Sequence, residues 1–436
     1  MFNIFAKLYY FYCYNDVYCF IMDIYKKFIM KNYLKFIYCF AWILLGWLQY
    51  PGSAWGCTSV IVSGKVTKDG RPLLFKNRDT GNPDNLMVSV QGEKYKYIGI
   101  ATANDSLSRD IWAGHNEAGF AIMNTTAYNL NREGVSDKNE GYIMKRALEI
   151  CATLKDFENM LDTMPKPLLT YSNYGVIDAQ GGCSYYETGS KGFVKFDAND
   201  NRVAPQGYLI RTNFGYTGDP KGAKGVERYM AISDFMLSTA FSGNMNYDYM
   251  LSNIPRNLKH GLTKINLYDY MPENNLTPKM FPFRDFIPRY QTASTILIQG
   301  VKQGESPLLT VSWTIIGSPM TTVAIPLCIL PSGKLPTVAL KGNGGYSELC
   351  KMGLDLKKRL FPLEVGSYTD YIDLGQLINK QGTGIMQQII PIEKEIKSRG
   401  LAIIERARDK GKFDKAMDDY YIWVDDFIRK SYSQFK

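Results

Sequence analysis

Apolar and polar residues alternate along much of this chain with the two-residue period that is typical of half-buried β-strands. The first two such segments cover residues 57–66 and 71–79, and a Lys-Asp-Gly turn signal at residues 68–70 separates them. If Asp69-Gly70 forms a tight turn, position 58 faces position 81 and position 60 faces position 79. This pairing predicts that Asp79 returns to the neighbourhood of Cys57.

The same alternation predicts further strands through the middle of the chain, and a helical period appears in three segments. The helical segments cover residues 141–161, residues 226–239, and the chain from residue 376 through the C-terminal tail. Strands with helices between and after them predict an α+β fold in which two layers of antiparallel sheet are covered by helices. The further predicted strands are residues 87–90, 95–102, 119–125, 175–178, 184–187, 208–211, 292–298, 308–315 and 321–325.

The first 56 residues differ from the rest and are typical of a leader. Residues 36–48 form an apolar run of 13 residues, which suits a signal-peptide core and is shorter than the roughly 20 residues of a membrane-spanning helix. Met30, followed by lysines, is the expected true start, so residues 1–29 are interpreted as an over-extended start. Ala54 and Gly56 supply small residues at positions −3 and −1 of a cleavage site, and cleavage leaves Cys57 at the new N-terminus.

We therefore expect an exported protein, periplasmic or extracellular, with an uncleaved membrane anchor as the alternative. The remaining chain is predicted to hold a catalytic domain at residues 57–345 and a mainly helical C-terminal extension at residues 346–436.

Charge and composition narrow the function classes. The net charge of +9 falls to +6 when the five lysines and two acids of the leader are removed, and no Lys/Arg block stands out, so a nucleic-acid partner is not expected. The mature part holds five cysteines, an odd number that leaves at least one free thiol. With two histidines in the chain and no pair of cysteines spaced as metal ligands, we expect no metal and no cofactor.

An N-terminal cysteine has its own α-amino group as a possible general base. A free thiol has a pKa of about 8.5, whereas an α-amino group titrates near 7.7–8.0 and lies within reach of its own side chain. Cys57 can therefore act as a nucleophile if a carboxylate and a cation fix its geometry and if donors face the oxyanion of the tetrahedral intermediate. Arg78 and Asp79 end the second predicted strand and are candidates for the first task.

Three further residues complete the candidate set. Asn124 and Asn213 both follow strand-like runs, where an amide can donate a hydrogen bond without titrating, and Arg228 lies near a predicted helix start. Two other roles for Cys57 stay open: a lipid anchor, which would acylate both the amine and the thiol, and one half of a disulfide. A lipidated Cys57 would make the chain a surface-anchored binding protein.

Five short motifs, in this order, resemble the N-terminal-nucleophile amidohydrolases. The nearest branch is the penicillin acyltransferase-like group, and the choloylglycine hydrolases, which include bile-salt and penicillin V amidases, are related to it. The resemblance covers the chain from Cys57 to about Cys328. The motifs are CTS at 57–59, FKNRD at 75–79, GHNEAGFAIMNT at 114–125, RTN at 211–213 and GVERY at 225–229.

The resemblance implies an αββα sandwich and hydrolysis or acyl transfer at a linear amide, with Cys57 as the nucleophile. It implies that Asp79 positions the α-amino group, that Asn213 stabilises the oxyanion with Asn124 as a second asparagine, and that Arg228 matches a later arginine of the bile-salt branch.

The pattern departs from the family before the aspartate, because Lys76 stands at the family's arginine and Arg78 is shifted by two positions. The implied substrate is a small acyl-amide, such as an N-acyl amino acid, a bile-acid conjugate or a β-lactam acyl amide. A related group of cysteine dipeptidases with a similar opening is the alternative, and oligomeric state is not predicted.

Overall fold

The computed structural model describes residues 56–103, 110–135, 139–366 and 368–435. Apart from Gly56, the predicted leader and its charged and apolar segments lie outside the described residues. Within these ranges, the helices are all too short or too polar to cross a membrane.

Strands and helices are labelled in chain order. The strands are β1 (Thr58–Val62), β2 (Leu73–Asp79), β3 (Asn85–Gln91), β4 (Lys96–Thr102), β5 (Ile111–Asn116), β6 (Ala121–Thr126), β7 (Ser172–Ile177), β8 (Cys183–Gly189), β9 (Gly192–Asp197), β10 (Tyr208–Arg211), β11 (Met280–Pro282), β12 (Thr292–Gln299), β13 (Val311–Ile316), β14 (Ala324–Leu327) and β15 (Tyr371–Asp373). The α-helices are α1 (Glu140–Ile150), α2 (Leu154–Thr163), α3 (Val226–Phe241), α4 (Tyr247–Asn253), α5 (Glu348–Leu360), α6 (Leu374–Leu377), α7 (Ile385–Lys410) and α8 (Lys415–Tyr432).

Two large antiparallel sheets form the centre of the fold. The first has six strands in the order β10-β1-β2-β12-β13-β14, and the second is a seven-stranded meander, β3 to β9, in which each strand pairs with the next along the chain. Strands β11 and β15 form a small separate pair.

Alternation along each strand sends neighbouring side chains to opposite layers. Met123 of β6 belongs to the core between the two sheets, whereas Ile122 beside it packs with α1 and α2 on the outer face of the seven-stranded sheet. Tyr185 and Tyr186 of β8 divide in the same way. The predicted fold, two antiparallel sheets flanked by helices, is confirmed.

The helices after residue 345 cover the six-stranded sheet. Glu393 of α7 accepts hydrogen bonds from the Ala324 backbone of β14 at 2.7 Å and from Arg256 at 2.6 and 2.8 Å. The Tyr421 hydroxyl of α8 accepts a hydrogen bond from the Cys328 backbone at 2.9 Å. The described residues from Gly56 onwards form one compact unit, and the division at residue 345 stays a prediction.

Most predicted strands are present with bounds that differ by a few residues, but the predicted register of the first hairpin is wrong. Thr58 faces Asn77 instead of position 81. The connection is not a two-residue turn, because residues 63–72 carry successive turns in which Val66 N donates to Ser63 O and Gly70 N to Thr67 O. A slip of four residues is even, so each side chain keeps its face of the sheet. Continued by two residues, this register places Asp79 opposite Gly56.

Other differences concern short elements. The predicted helix 141–161 is two helices, because Thr153 starts α2 with a capping box in which its hydroxyl accepts from Asp156 N. Strands β5, β9, β11 and β15 and helix α4 were not predicted as elements, and helix α5 lies in the region that was predicted only as mainly helical. The β9 side chains are mostly half-buried or exposed, so the strand lacks a strong apolar signal.

Candidate active site

Cys57 lies immediately before β1, at the point where the chain enters the six-stranded sheet. Its backbone nitrogen donates to Asn213 Oδ1 at 2.9 Å, and the residue is only 9% exposed. Asn213 follows β10, which pairs with β1, so the sheet itself holds Asn213 beside Cys57. Two residues 156 positions apart in the chain thus meet at the first residue of the predicted mature protein.

The partners of Asn213 determine the orientation of its amide. Oδ1 accepts hydrogen bonds from Cys57 N and from Arg228 Nη2 at 2.7 Å, and both partners can only donate. Nδ2 donates to the Thr126 carbonyl at 2.9 Å. Asn213 therefore presents its oxygen to the N-terminal nitrogen of Cys57, which is a positioning contact, and the oxyanion role implied for it stays a prediction.

Arg228, on helix α3, also donates hydrogen bonds to Cys57 and Asn213. Its Nη1 donates to the Cys57 carbonyl at 2.5 Å and to Thr58 Oγ1 at 3.0 Å. The helix begins after Gly225, whose φ of +74° is the left-handed region that glycine adopts at low cost, and this turn brings the arginine to the site. Burial lowers the pKa of Arg228 to about 10, so the guanidinium stays charged at neutral pH. The structure thus brings the predicted Cys57, Asn213 and Arg228 into one hydrogen-bonded group.

Asp79 is buried near this group and bonds to two residues that the sequence analysis missed. Its Oδ2 accepts from Arg289 Nε at 2.8 Å, and its Oδ1 accepts from the Thr292 hydroxyl at 2.7 Å. Arg289 N in turn donates to Thr292 Oγ1 at 2.9 Å, so a local turn before β12 presents both side chains to Asp79. The role implied for Asp79, positioning the Cys57 amine, stays a prediction.

Arg289 lies in a loop 210 positions from Asp79, with no motif around it. The pairing of β12 with β2, in which Thr292 faces Asp79, is the only signal that could have identified it.

Lys76 and Asn124 connect the two sheets beside Cys57. The Lys76 ammonium, on β2, donates to Asn124 Oδ1 at 2.8 Å and to the Trp112 carbonyl at 2.7 Å. Since lysine can only donate, the Asn124 oxygen faces it and Nδ2 points away, where it donates one proton to Ser172 Oγ at 3.2 Å. Burial lowers the pKa of Lys76 to about 8, and electrostatic attraction to Cys57 opposes that shift.

Arg78 lies on the same face of β2 as Lys76. Its Nη1 donates to Asn85 Oδ1 at 2.8 Å, and its guanidinium stacks over the Trp112 ring at 4.5 Å from the centroid. Burial lowers its pKa to about 10, and interaction with Cys57 opposes the shift. The cations that interact electrostatically with Cys57 include Lys76, Arg78, Arg228 and Arg289.

A buried ion pair anchors the Arg-Thr-Asn segment that carries Asn213. Arg211 Nε donates to Glu187 Oε1 at 2.9 Å, and neither side chain is exposed. The same carboxylate accepts from Tyr216 N at 2.7 Å and from the Thr217 backbone and hydroxyl at 2.9 and 2.8 Å. Glu187 therefore fixes the chain on both sides of Asn213.

Metal ligands and disulfides are not features of the described residues. No group of three or more His, Cys, Asp or Glu side chains could hold a metal ion there, and Cys57, Cys151, Cys183, Cys328 and Cys350 are all free thiols. Within the described chain Cys57 is thus not half of a disulfide.

No family model and no curated protein matches the chain. Solved structures match it in part. A variant of conjugated bile acid hydrolase from Clostridium perfringens is 13% identical with a TM-score of 0.35, covering 63% of this chain and 92% of that one. Penicillin V acylase from Agrobacterium tumefaciens is 12% identical with a TM-score of 0.35, covering 63% and 86%. The Caenorhabditis elegans ortholog of N-acylethanolamine-hydrolyzing acid amidase is 16% identical with a TM-score of 0.32, covering 46% and 88%.

The TM-scores of these matches are low, so the similarity to the solved structures is only partial.

Proposed function

We propose that this chain is an exported cysteine N-terminal-nucleophile hydrolase that cleaves or transacylates a linear amide C–N bond through a thioester at Cys57. The observation that carries the proposal is the placement of Cys57, whose backbone nitrogen is held by Asn213 and whose surroundings include four cations. A structural cysteine needs neither feature, because buried free cysteines normally behave as small apolar residues.

Removal of the leader activates the enzyme in this proposal. Cleavage between Gly56 and Cys57 converts an amide nitrogen, which has no basicity, into an α-amine with a pKa near 7.7–8.0. In this proposal the new amine keeps Asn213 Oδ1 as the acceptor of one of its protons, and its lone pair takes the proton of the thiol. The chain is therefore inert before export and processing.

Catalysis then follows in two halves. The α-amine of Cys57 accepts the thiol proton, and Sγ attacks the amide carbonyl to give a tetrahedral oxyanion. Asn213 and Asn124 are the amide donors assigned to that oxyanion, because in the described structure each Nδ2 uses one of its two protons, on the Thr126 carbonyl and on Ser172 Oγ respectively. The ammonium returns its proton to the leaving amine as the C–N bond breaks and the thioester forms. Water, or an acceptor amine, attacks the thioester and restores the thiol.

Burial of Cys57 favours a nucleophile over a lipid anchor. Lipidation would place acyl chains on a nitrogen and a sulfur that lie inside the protein, next to Asn213 and Arg228. The small-molecule amide substrate and the periplasmic or extracellular location remain parts of the proposal, supported by the leader sequence and by the resemblance of the motifs.

The test compares Cys57→Ala with Cys151→Ser, since both positions are buried free thiols in the described structure. N-terminal sequencing and intact mass of the exported protein establish the terminus. Iodoacetamide labelling and hydrolysis of acyl-amides and dipeptides are then measured for each variant.

We expect a terminus at Cys57, one rapid label that Cys57→Ala removes, and amide hydrolysis that only Cys57→Ala abolishes. Hydrolysis of dipeptides without acyl-amides would favour the dipeptidase alternative. A terminus blocked by lipid mass, or hydrolysis in Cys57→Ala, would refute the proposal.

A further inference from the structure

Gly56, the last residue of the predicted leader, occupies a narrow space between two arginines. A Cβ atom added at Gly56 would lie 2.5 Å from Arg228 Nη2, 2.6 Å from Arg289 Nη2 and 2.9 Å from Asn213 Oδ1. These atoms cannot easily withdraw, because Arg228 is bonded to Cys57, Thr58 and Asn213, and Arg289 to Asp79. The space therefore admits a glycine or an unbranched group of similar width.

A donor of the Arg228 guanidinium, whose Nη2 borders this space, lacks a hydrogen-bond acceptor. Arg228 Nε is buried without a partner, although Nη1 and Nη2 of the same guanidinium are bonded. Arg289 Nη2, by contrast, faces Asp79 Oδ2 at 2.7 Å as an ion pair. Buried guanidinium donors normally find acceptors, so the unpartnered Nε indicates a place for a further acceptor.

Processing makes the charges around this space unequal. Arg228 and Arg289 carry two positive charges, and Asp79 and Asp285, which pair with Arg289 at 2.7 and 3.8 Å, carry two negative charges. Processing adds a third positive charge, the ammonium of Cys57, at the edge of the same space. A carboxylate would restore the balance through charge-assisted hydrogen bonds, which are about twice as strong as neutral ones.

We propose that the space held by Gly56 becomes a carboxylate-binding subsite, formed by Arg228 and Arg289, once the Gly56–Cys57 bond is cut. The inference rests on the processing step of the proposed function. That hydrolysis consumes one water and produces the Cys57 ammonium and the C-terminal carboxylate of Gly56, which is the first carboxylate the subsite meets. A leader peptide that stays bound there keeps the new active site closed until it dissociates or a competing carboxylate replaces it.

The test uses the mature protein that begins at Cys57, obtained by export or by removing a tag that ends before Cys57. Titration calorimetry measures binding of the peptide Ser-Ala-Trp-Gly, residues 53–56, as the free acid and as the C-terminal amide. We expect the acid to bind about tenfold or more tightly than the amide, because the amide loses the charge-assisted bonds. Ser-Ala-Trp-Ala, with its added methyl group, should bind more weakly than the glycine peptide.

A second pair of probes, N-acetylglycine and its amide, distinguishes the sources of the carboxylate. Binding of the peptide acid alone would identify the leader terminus as the ligand, and carboxylate-dependent binding of N-acetylglycine would extend the subsite to small substrates or products. Arg289→Gln should remove the preference for the acid, whereas Arg202→Gln, at an exposed ion pair with Asp200, should keep it.

Equal binding of acid and amide in both pairs of probes would overturn the inference. This comparison uses the wild-type protein, so it does not depend on whether a variant folds. Calorimetry measures binding without turnover, so it tests the subsite separately from the proposed function. The carboxylate can fail to bind although Cys57-dependent hydrolysis is observed, and it can bind although no hydrolysis is observed.

Discussion

Replacing Glu187 with glutamine tests whether one buried ion pair holds the segment that carries Asn213. The substitution keeps the size of the side chain but removes the charge that faces Arg211 at 2.9 Å. It also replaces one carboxylate oxygen with a group that can only donate, although both oxygens of Glu187 accept hydrogen bonds from donors of residues 211–217. At least one donor is therefore left without its acceptor.

The magnitude follows from burial. Neither side chain of the pair is exposed, so Arg211 would remain charged, desolvated and without a counter-ion. Removing one partner of a buried pair costs about 3–5 kcal/mol, a large part of the roughly 5–15 kcal/mol that stabilises a typical protein. Tyr216, whose ring lies 3.7 Å from the Arg211 guanidinium, recovers only part of this loss through a cation–π contact.

The assay is urea unfolding of the mature protein, followed by tryptophan fluorescence. The matched control is Glu348→Gln, because Glu348 pairs with Arg429 at the same 2.9 Å but with 40% and 42% of the side chains exposed. That exposed pair should contribute at most about 1 kcal/mol. Equal, small losses of unfolding free energy in both variants would refute the reasoning. An unchanged rate of Cys57 labelling in Glu187→Gln would show that the ion pair does not affect the position or reactivity of Cys57.

Three further predictions test the site and the fold. Asn213→Ala should fold normally but hydrolyse amides roughly a hundredfold more slowly, because the Cys57 amine loses its acceptor; wild-type kcat/KM would remove Asn213 from the mechanism. Lys76, with a pKa of about 8, should lose its charge as pH rises through 8, so activity that needs the cation falls there. Lys76→Arg should extend that alkaline limb of the kcat/KM profile, and an identical limb would contradict it. Glu393→Ala should lower the unfolding free energy by about 3–5 kcal/mol in urea titrations, because Arg256 stays buried without its partner, and a change below 1 kcal/mol would contradict the assignment.

Part of the candidate site could be predicted because its residues stand at the ends of strongly patterned elements. Asn213 lies two residues after the short strand β10, and Arg228 lies in the first turn of a helix with a glycine before it. Both signals are local, and the structure brings both residues to Cys57. Arg289 could not be found in this way, since it lies in a loop and reaches Asp79 only through the pairing of β12 with β2.

The register of the first hairpin also shows that a local sequence signal does not determine which residues pair. Asp69-Gly70 is a local turn signal, but the loop closes around Thr67, whose hydroxyl donates to the Arg71 carbonyl at 2.8 Å. Alternation of apolar and polar residues repeats every two positions, so registers that differ by four bury the same faces. The pattern thus identifies which side chains point inward, and packing against the second sheet selects the pairing.

By itself, the sequence determined most of the strands and helices, the division of each strand into two faces, and the presence of a cysteine directly behind a predicted leader. Tertiary structure alone decided which charges surround that cysteine. Arg228 of helix α3 donates to the Cys57 carbonyl, and Lys76 and Arg78 of β2 and Arg289 of a loop interact with Cys57 electrostatically. The positions of these cations depend on sheet order and register. Periodicity indicates which residues are buried and which are exposed. An active site depends instead on distances between residues far apart in the chain, and only the packing of the sheets fixes those distances.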